Sequence, residues 1–478
     1  MAVIGPNADN VDVQYGNYNG SPVNPVSVLD GIKEKLGEQA QVKFALGTPH
    51  HDGLPYLVSV PKGVLFTDSQ GSKPGLSASF YPNLEASGDA VLKRTDATVD
   101  YYWWDGEPPV DGLVDDNYSV SWSGYLVPRS SGKHAIGVEG KYFSFIFEGD
   151  TLLGNNNIHH PNKTYQWIDL EAGKAYRMEV VMKDQHGDAP IIIHWDEPNP
   201  ARSREAVQLA RWADHVVLVM GLTARLEGEE MRGLDLDGFY RGDRTSLDLP
   251  ETQSKLIRQI VAAGKPVTLV LMTGSAVSIN WEDEHIPSIL QAWYGGESAG
   301  SAVADVLFGD YNPAGRLPLT FYKSVDDLPD FENYDMEGRT YRYFNGEVLY
   351  PFGYGLSYSD FTYNNLILER EETTQDEELT ISVEVTNEGA YDGEEVVQMY
   401  IRKPGSEVLR PIKDLRGFER VFINKGQTRV VTMILGPDEL EVYNLETGEY
   451  QVEKGLYEIL LGSSSDDGDL IQASLLVR

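Results

Sequence analysis

The run His215-Val-Val-Leu-Val-Met220 leads directly into Gly221-Leu-Thr-Ala-Arg-Leu-Glu227-Gly-Glu229-Glu230. Its first part is almost continuously apolar, which is typical of a strand in a sheet covered by helices on both faces. In open α/β sheets, ligands bind at the loops beyond the carboxyl ends of the strands. The sequence therefore predicts that Glu227, Glu229 and Glu230 lie where a substrate could meet them.

Helices and strands alternate on both sides of this run. Between residues 201 and 355, the apolar spacing predicts helices at 202–213, 253–263 and 300–308, and buried strands at 267–272 and 288–293. Residues 1–48 have the same character, with strands at 2–5 and 41–46 and a helix at 27–36. We interpret 1–48 and 201–355 as one α/β sandwich domain with an insertion, because exposed loops tolerate inserted domains.

The inserted segment and the end of the chain have all-β patterns. Residues 75–198 contain alternating stretches such as Tyr118-Ser-Val-Ser-Trp122, separated by turn signals such as Ser131-Gly132, and these predict a β-sandwich. Residues 356–478 alternate in the same way and predict a second, smaller sandwich of the immunoglobulin-like type. The expected fold class is therefore multidomain, with α/β and all-β parts.

Composition excludes several classes of function. The 478 residues include 74 acidic and 39 basic side chains, and the net charge of −35 repels nucleic-acid phosphates and anionic lipid. A neutral substrate, such as an uncharged sugar, fits this surface better. The chain has no cysteine, so disulfides, thiolate metal sites and cysteine nucleophiles are excluded. No apolar run approaches the roughly 20 residues of a membrane helix, which argues against membrane insertion.

The first residues bear on the extent of the protein and on its compartment. The opening Ala2-Val-Ile-Gly-Pro6 has the character of a buried strand end, unlike a secretory signal peptide. We therefore expect further sequence upstream of this segment in the functional protein. The compartment stays open, with a periplasmic or secreted location favoured over a cytoplasmic one.

The glutamate-rich loop suggests acid/base chemistry, although its spacing alone is a weak signal. Glycoside hydrolysis uses two carboxyl groups, one of them a proton donor whose pKa is raised by its surroundings. Neighbouring negative charge has that effect, because it disfavours ionisation. In a chain with 74 acidic residues, however, a solvated loop without a catalytic role is the simpler explanation of this spacing.

Longer motifs favour the catalytic explanation of this loop over the solvated one. The segment 213–253, with ADHVVLVMGL, LEGEE and GDRTSLDLP, closely resembles the C-terminal domain of glycoside hydrolase family 3, as do residues 289–322 and YPFGYGLSYSDF at 350–361. The opening AVIGPNAD resembles that domain's first strand. VSWSGYLVPRSSGKHAIGVEG (120–140) is similar to the protective-antigen-like sandwich inserted in some β-glucosidases. LTISVEVTNEGAYDGEEVVQMYI (379–401) resembles the fibronectin type III-like domain that ends many members.

The resemblance implies a retaining β-glycosidase in which this chain supplies the general acid/base. The matching position is Glu229, with Glu227 as the second candidate and Glu230 as the third. The family's nucleophile is an aspartate of an N-terminal (β/α)₈ barrel, which needs about 250 residues and has no counterpart here. We therefore expect a barrel-bearing chain or segment as a partner. The favoured member is a β-glucosidase, and galactosidase and xylosidase specificities remain open.

Aromatic residues of the insert are candidates for sugar binding, because the resemblance implies that this sandwich covers the mouth of the active site. Tyr142 and Phe143, expected on a loop edge after Gly140-Lys141, are the candidate substrate-binding residues, and Trp103-Trp104 is another pair. Packing in the core of the sandwich is the alternative for these rings.

Neither a cofactor nor a metal is expected. His50-His51 and His159-His160 lack a partner at metal-ligand spacing, so exposed loops are the expected setting for these histidines. A homo-oligomer stays open as an assembly.

Two other classes of protein compete with the enzyme. One is a non-catalytic carbohydrate-binding protein that uses the inserted sandwich. The other is an assembly module in which the terminal sandwich holds subunits together. Weak sugar binding without a partner, unaffected by Glu229→Gln, would favour the first class. An unaltered hydrolysis rate after Glu229→Gln in the reconstituted complex would favour the second.

Overall fold

The computed structural model of the chain describes residues 1–20, 22–159, 161–231 and 234–478. These residues form two compact units, Met1–His50 with Arg204–Arg478, and His51–Ser203. The first unit contains the α/β sheet and the C-terminal β-sandwich, and the second is the inserted β-sandwich. The fold class expected from the sequence, α/β plus all-β, is confirmed.

Five parallel strands form the α/β sheet: β1 (Ala2–Ile4), β2 (Lys43–Ala45), β3 (Val216–Gly221), β4 (Val267–Met272) and β5 (Ser288–Gln291). Their order in space is β2-β1-β3-β4-β5. Every residue of β3 and β4 is buried, as expected for central strands covered on both faces. In this order, β2 lies on one side of β1 and β3 lies on the other. The direction in which the chain adds strands therefore reverses at β1. The loops after β1 and β3 therefore flank the switch point, where α/β proteins bind ligands.

Helices cover both faces of the sheet. They are α1 (Val28–Leu36), α2 (Arg202–Trp212), α3 (Glu251–Val261), α4 (Asn280–His285) and α5 (Ala299–Phe308). Ser27 caps α1, because its Oγ accepts a hydrogen bond from the backbone N–H of Asp30 at 3.1 Å. The six-residue α4 was not predicted, since it is too short to show a helical period. Among the described helices, none is both long enough and apolar enough to cross a membrane.

The inserted unit is a sandwich of two antiparallel sheets. The larger sheet contains Leu65–Phe66, Leu76–Tyr81, Leu92–Asp96, Tyr118–Leu126, Tyr142–Phe147, Asp150–Asn156 and Tyr176–Asp184. The smaller sheet contains Val58–Ser59, Asp100–Trp103, Gly132–Gly140, Asn162–Leu170 and Ala189–Asp196. Alternate residues of the strands point into a shared core, in which Trp122 is fully buried. Its indole N–H donates to Asp96 at 2.8 Å, so the ring's one polar atom is satisfied.

The C-terminal part is a second sandwich. One sheet contains Phe361–Leu368, Leu379–Asn387 and Thr428–Leu435, and the other contains Glu372–Thr373, Gly393–Arg402, Asp414–Ile423, Gly455–Gly462 and Leu470–Val477. Smaller pairings join Asp235–Leu236 and Asp243–Arg244 to Phe239–Tyr240, Phe321–Tyr322 to Val348–Tyr350, and Val442–Asn444 to Glu449–Gln451. Short helical turns lie at Val11–Gln14, Val325–Asp327, Thr340–Tyr343, Pro437–Leu440 and Asp467–Asp469.

A buried ion pair links this second sandwich to the polypeptide that leaves the α/β domain. The Arg316 guanidinium donates to the Glu395 carboxylate at 2.7 Å, and both side chains are more than nine-tenths buried. The other Glu395 oxygen accepts from the Tyr363 hydroxyl at 2.9 Å. Because all three groups depend on one another, removing any one of them would leave an unsatisfied polar group in the joint.

Two glycines let α1 and α5 cross at very short range. A Cβ added to Gly31 would lie 2.2 Å from the carbonyl oxygen of Gly300, and one added to Gly300 would lie 2.0 Å from the carbonyl oxygen of Ser27. These are backbone atoms of packed helices, so they cannot move aside as a flexible side chain would. Only glycine fits at this crossing.

Gly300→Ala should therefore lower the free energy of unfolding by about 1–3 kcal/mol or more, as overpacked cores do. In an uncrowded helix, the same change would raise stability by about 0.5–1 kcal/mol, so the sign is diagnostic. Urea unfolding followed by circular dichroism measures the difference. Gly315→Ala is the control, because a Cβ at that position meets nothing within 4 Å. Equal stabilities of the two variants would contradict the close crossing.

Candidate active site

Four loops meet at the carboxyl edge of the α/β sheet because the strands are parallel. The loop after β1 contains Tyr18, and the loop after β3 contains the three glutamates. Gly274 and Ser275 follow β4, and Tyr294 follows β5. Residues far apart in the sequence are thereby brought together at one edge.

The end of β3 is held by the buried side chain of Gln253 on α3. Its Oε1 accepts from the Gly221 backbone N–H at 2.9 Å, and its Nε2 donates to the carbonyl oxygens of Gly221 at 2.8 Å and His50 at 2.9 Å. Gly221 has a φ of +135°, and a Cβ there would lie 2.0 Å from the carbonyl oxygen of Met272. The chain therefore turns out of the sheet at a position that only glycine can occupy.

Glu227 is an anchor of the loop. Its Oε1 accepts from the Gly274 backbone N–H at 2.6 Å and the Tyr294 hydroxyl at 2.5 Å, and its Oε2 accepts from the Ser275 hydroxyl at 2.5 Å. Burial, and then the Glu227 charge, raise the pKa of Tyr294, so this hydroxyl keeps its proton and donates it. With both oxygens occupied, Glu227 ties the loop after β3 to those after β4 and β5.

Arg244 fastens the far end of the same loop. Its guanidinium donates to the Ser275 hydroxyl at 2.9 Å and to the carbonyl oxygens of Ala276 at 2.7 Å and Ser246 at 3.1 Å. Burial lowers the pKa of Arg244, and the nearby Glu227 carboxylate opposes this. Ser275 thus bridges the carboxylate at the start of the loop and the guanidinium at its end.

Glu229 has a different setting from Glu227. Its side chain is exposed, and its Oε2 accepts from the Tyr18 hydroxyl at 2.8 Å. That hydrogen bond raises the pKa of Tyr18, whose side chain is itself exposed. The carboxyl group of Glu229 is therefore oriented by the Tyr18 hydroxyl and open to solvent, so a bound molecule could reach it.

Glu230 forms an ion pair with Arg241 on the same loop. Both residues have left-handed backbone conformations, with φ of +49° and +53°, which are uncommon for residues other than glycine. Nearby, Gly242 approaches the carbonyl oxygen of Gly228 so closely that a Cβ would lie 2.2 Å from it. The tip of the loop is thus folded back on itself beside Glu229.

A cleft of about 450 Å³ lies beside the loop, on the side of Glu227. Its lining includes Glu227, Arg244, Ser275, Tyr322 and Thr340. The carboxylate, guanidinium and serine hydroxyl in this lining already bond to one another or to the backbone. Glu229 does not line this cleft. The cleft and the exposed carboxyl group of Glu229 are thus separate, although both lie at the same edge of the sheet.

The candidate sugar-binding residues of the insert separate into two settings. Tyr142 and Phe143 begin the strand Tyr142–Phe147, so their expected place on a loop edge is wrong. The strand alternates, and Phe143 is 2% exposed in the sandwich core, where its ring cannot stack on a sugar. Tyr142 is half-buried, with the Lys183 ammonium 5.1 Å from its ring centre. The proposal of a sugar contact is kept for Tyr142 alone.

The residues of the tryptophan and histidine pairs also differ in how deeply they are buried. Trp103 stacks on Tyr101 at 5.0 Å between ring centres, whereas Trp104 is 46% exposed. The His50 ring is buried, so its expected place on an exposed loop is wrong, and burial lowers its pKa to about 4. His160 lies outside the described residues.

Several residues of this edge were not singled out from the sequence as members of the site. Tyr18, Ser275, Tyr294 and Arg244 lack a local motif that indicates a partner. The one available signal was topological: each of the first three follows a strand that ends at the same edge of the sheet.

The α/β domain and the terminal sandwich both match known family models. The family model for the glycosyl hydrolase family 3 C-terminal domain matches residues 1–358, and the model for a fibronectin type III-like domain matches residues 395–465. The first match covers most of the chain. The chain therefore belongs to glycosyl hydrolase family 3, through its C-terminal domain.

Individual relatives are similar over the whole chain or over much of it. A xylan 1,4-beta-xylosidase of Xylanibacter ruminicola is 35% identical over 98% of this chain and 54% of the relative. A periplasmic beta-glucosidase of Salmonella typhimurium is 38% identical over 55% of this chain and 34% of the relative. The crystal structure of a beta-glucosidase from Kluyveromyces marxianus with glucose has a TM-score of 0.71 and 27% identity, covering 100% of this chain and 58% of that one. The chain thus spans about half the length of the relatives that it matches throughout.

Gln253→Met should destabilise the α/β domain, because it leaves the buried N–H of Gly221 and two carbonyl oxygens without their partner. We expect a loss of about 2–4 kcal/mol in the free energy of unfolding. Gln259→Met is the matched control, since Gln259 lies on the exposed side of the same helix. Chemical unfolding of both variants measures the loss. A small, equal effect at the two positions would show that the carboxamide does not hold the strand end.

Proposed function

We propose that this chain supplies the general acid/base, Glu229, of a retaining β-glycosidase whose nucleophile is an aspartate on a (β/α)₈ barrel. The observation that carries this proposal is the contrast among the three glutamates of the loop. Glu227 accepts three hydrogen bonds and Glu230 is paired with Arg241, whereas Glu229 is exposed and, among the described residues, accepts a hydrogen bond only from Tyr18. Membership of the family supports the same choice of residue.

The reaction needs Glu229 in both protonation states. In the first step, the barrel aspartate attacks the anomeric carbon while Glu229 donates its proton to the departing glycosidic oxygen. In the second step, the resulting carboxylate takes a proton from water, whose oxygen displaces the aspartate and releases the sugar. Retention requires the two carboxyl groups to lie about 5–5.5 Å apart in the assembled site.

The substrate we propose is a neutral, β-linked glucoside or xyloside. The relatives include enzymes named beta-glucosidase and beta-xylosidase, so both sugars enter the proposal, with the glucoside favoured. The net charge of −35 supports an uncharged ligand, because a polyanionic sugar would be repelled. A barrel-bearing partner chain or segment is part of this proposal, as is Tyr142 as a sugar contact on the insert.

The acid/base role predicts a leaving-group pattern in the complex with a barrel-bearing partner. Glu229→Gln should lower kcat on cellobiose about 10²–10⁴-fold, because its alkoxide leaving group requires protonation. The loss in the first step should be far smaller with p-nitrophenyl β-glucoside, since p-nitrophenolate departs without a proton. Steady-state and burst kinetics on both substrates measure this pattern.

Two further variants make the test specific. Glu229→Ala should recover turnover of the p-nitrophenyl substrate when azide is added, because this small anion attacks the intermediate without a general base. Glu230→Gln, in the neighbouring exposed position, should leave both rates within about twofold of the unmodified chain. If Glu229→Gln behaves like Glu230→Gln, the assignment is wrong. Full activity of this chain alone would place the nucleophile within it.

Tyr18 is predicted to orient the Glu229 carboxyl group. Tyr18→Phe removes the hydroxyl that donates to Glu229 and should lower kcat on cellobiose roughly two- to tenfold, with KM little changed. Tyr240→Phe is the control, since Tyr240 is also an exposed tyrosine near this edge. An effect of the same size in both variants would argue against a specific contact between Tyr18 and Glu229.

A further inference from the structure

A group of carboxylates lies in the inserted sandwich, in the unit His51–Ser203. One oxygen from each of Asp105, Asp115 and Asp116 lies within 4.8 Å of the other two. Like charges at this separation repel one another strongly, so the arrangement is unfavourable unless something compensates for it. We call these three residues the aspartate cluster.

Two carboxylate oxygens here are buried without a hydrogen-bond donor. Asp116 Oδ1 and Asp184 Oδ2 both lack a partner among the residues that the structure describes. Asp184 is 2% exposed, and it pairs in register with Tyr118, two residues beyond Asp116. Burying a carboxylate oxygen without a partner is costly, and such atoms in folded proteins usually bind water or an ion.

The charges around Asp184 show that the aspartate cluster acts on it. Burial raises the pKa of Asp184 to about 7; the Lys141 ammonium opposes this, and Asp116, Asp105 and Asp115 each reinforce it. One ammonium group therefore faces four carboxylates. Lys141 donates to the carbonyl oxygen of His186 at 3.4 Å. Three neighbouring carboxylates thus reinforce the effect of burial on the pKa of Asp184.

We propose that Asp105, Asp115 and Asp116 bind a calcium ion, with the carboxyl group of the buried Asp184, whose Oδ2 has no partner among the described residues, nearby. The donor set consists of carboxylate oxygens, which favour hard cations, and zinc would favour imidazole or thiolate ligands. Calcium accepts irregular oxygen cages that include water, whereas magnesium requires a nearly ideal octahedron. Adjacent residues such as Asp115 and Asp116 suit the more tolerant ion. This proposal is independent of the proposed function.

The position of the aspartate cluster shows what the ion would do. Asp105 follows the strand Asp100–Trp103 of the smaller sheet, and Asp116 precedes the strand Tyr118–Leu126 of the larger sheet. The ion would therefore fasten the two ends of the segment that crosses between the sheets. Asp188 already bonds to this segment, because it accepts from the Asp105 backbone N–H at 2.9 Å and the Tyr102 hydroxyl at 3.1 Å.

Direct binding is tested on the full chain after treatment with EDTA and removal of the chelator. Terbium is the first probe, because it replaces calcium and its emission is sensitised by nearby aromatic rings such as Trp103 and Trp104. We expect saturable emission that calcium displaces and that magnesium at the same concentration does not. Titration of calcium from about 0.1 to 10 mM covers the range of weak extracellular calcium modules.

Thermal unfolding provides the second readout. Calcium at about tenfold excess over its Kd should raise the Tm of the insert by about 3–6 °C. Asp116→Asn should abolish this rise and also raise the Tm in EDTA, because it removes one of the repelling charges. Asp115→Asn should do the same, which keeps the test valid if one variant fails to fold. Asp111→Asn, an exposed aspartate of the same segment, is the charge-matched control and should keep the full calcium response.

Three outcomes would overturn the proposal. The first is the absence of terbium or calcium binding to the unmodified chain. The second is calcium binding that survives in both Asp115→Asn and Asp116→Asn, which would show non-specific attraction to the acidic surface. The third is an equal response to magnesium, which would replace calcium selectivity with a general effect of divalent charge.

Discussion

The buried carboxamide group of one residue, Gln253, determines how the central strand of the α/β sheet ends. It occupies both backbone groups of Gly221, the last residue of β3, so neither group needs a partner from the loop that follows. A buried backbone group without a partner would cost about 1–3 kcal/mol, and the loop would have to bend back to supply one. Because Gln253 meets this need, the chain is free to turn away at Gly221 and carry its glutamates past the edge of the sheet.

Beyond that turn, hydrogen bonding assigns a different task to each glutamate. Glu227 is saturated by donors from the two next loops and acts as an anchor. A carboxylate whose two oxygens accept three hydrogen bonds is fixed in place, because moving it would break all of them at once. Glu229, two residues later, is exposed and accepts a hydrogen bond from Tyr18, on the opposite side of the switch point. The rigid anchor and the open carboxyl group thus come from one short motif, and the anchor positions its neighbour.

The sequence was sufficient for most of the helices and strands and insufficient for their contacts. Val267–Met272 is predicted to the residue, because the mainly apolar run Val-Thr-Leu-Val-Leu-Met is bounded by Pro266 and Thr273. The partners of Glu227 could not be predicted, because Ser275 and Tyr294 lie 48 and 67 residues away and meet it only through the sheet order. Phe143 was misplaced because Gly140-Lys141 has the character of a turn. The alternation that continues through Phe145 and Phe147 buries the ring instead.

The insertion leaves the α/β sheet intact, and Gln253 holds the point where the chain leaves for it. The chain departs for the inserted unit after His50 and returns at Arg204, yet β1 and β3 remain neighbours across that gap. Closing a long loop costs little more than closing a moderate one, since the entropy grows only with the logarithm of its length. The chain leaves the α/β domain after His50. Gln253 donates its remaining N–H to the carbonyl oxygen of this residue. One side chain therefore holds the carbonyl group of His50 and the start of the glutamate loop, so a defect there would disturb both at once.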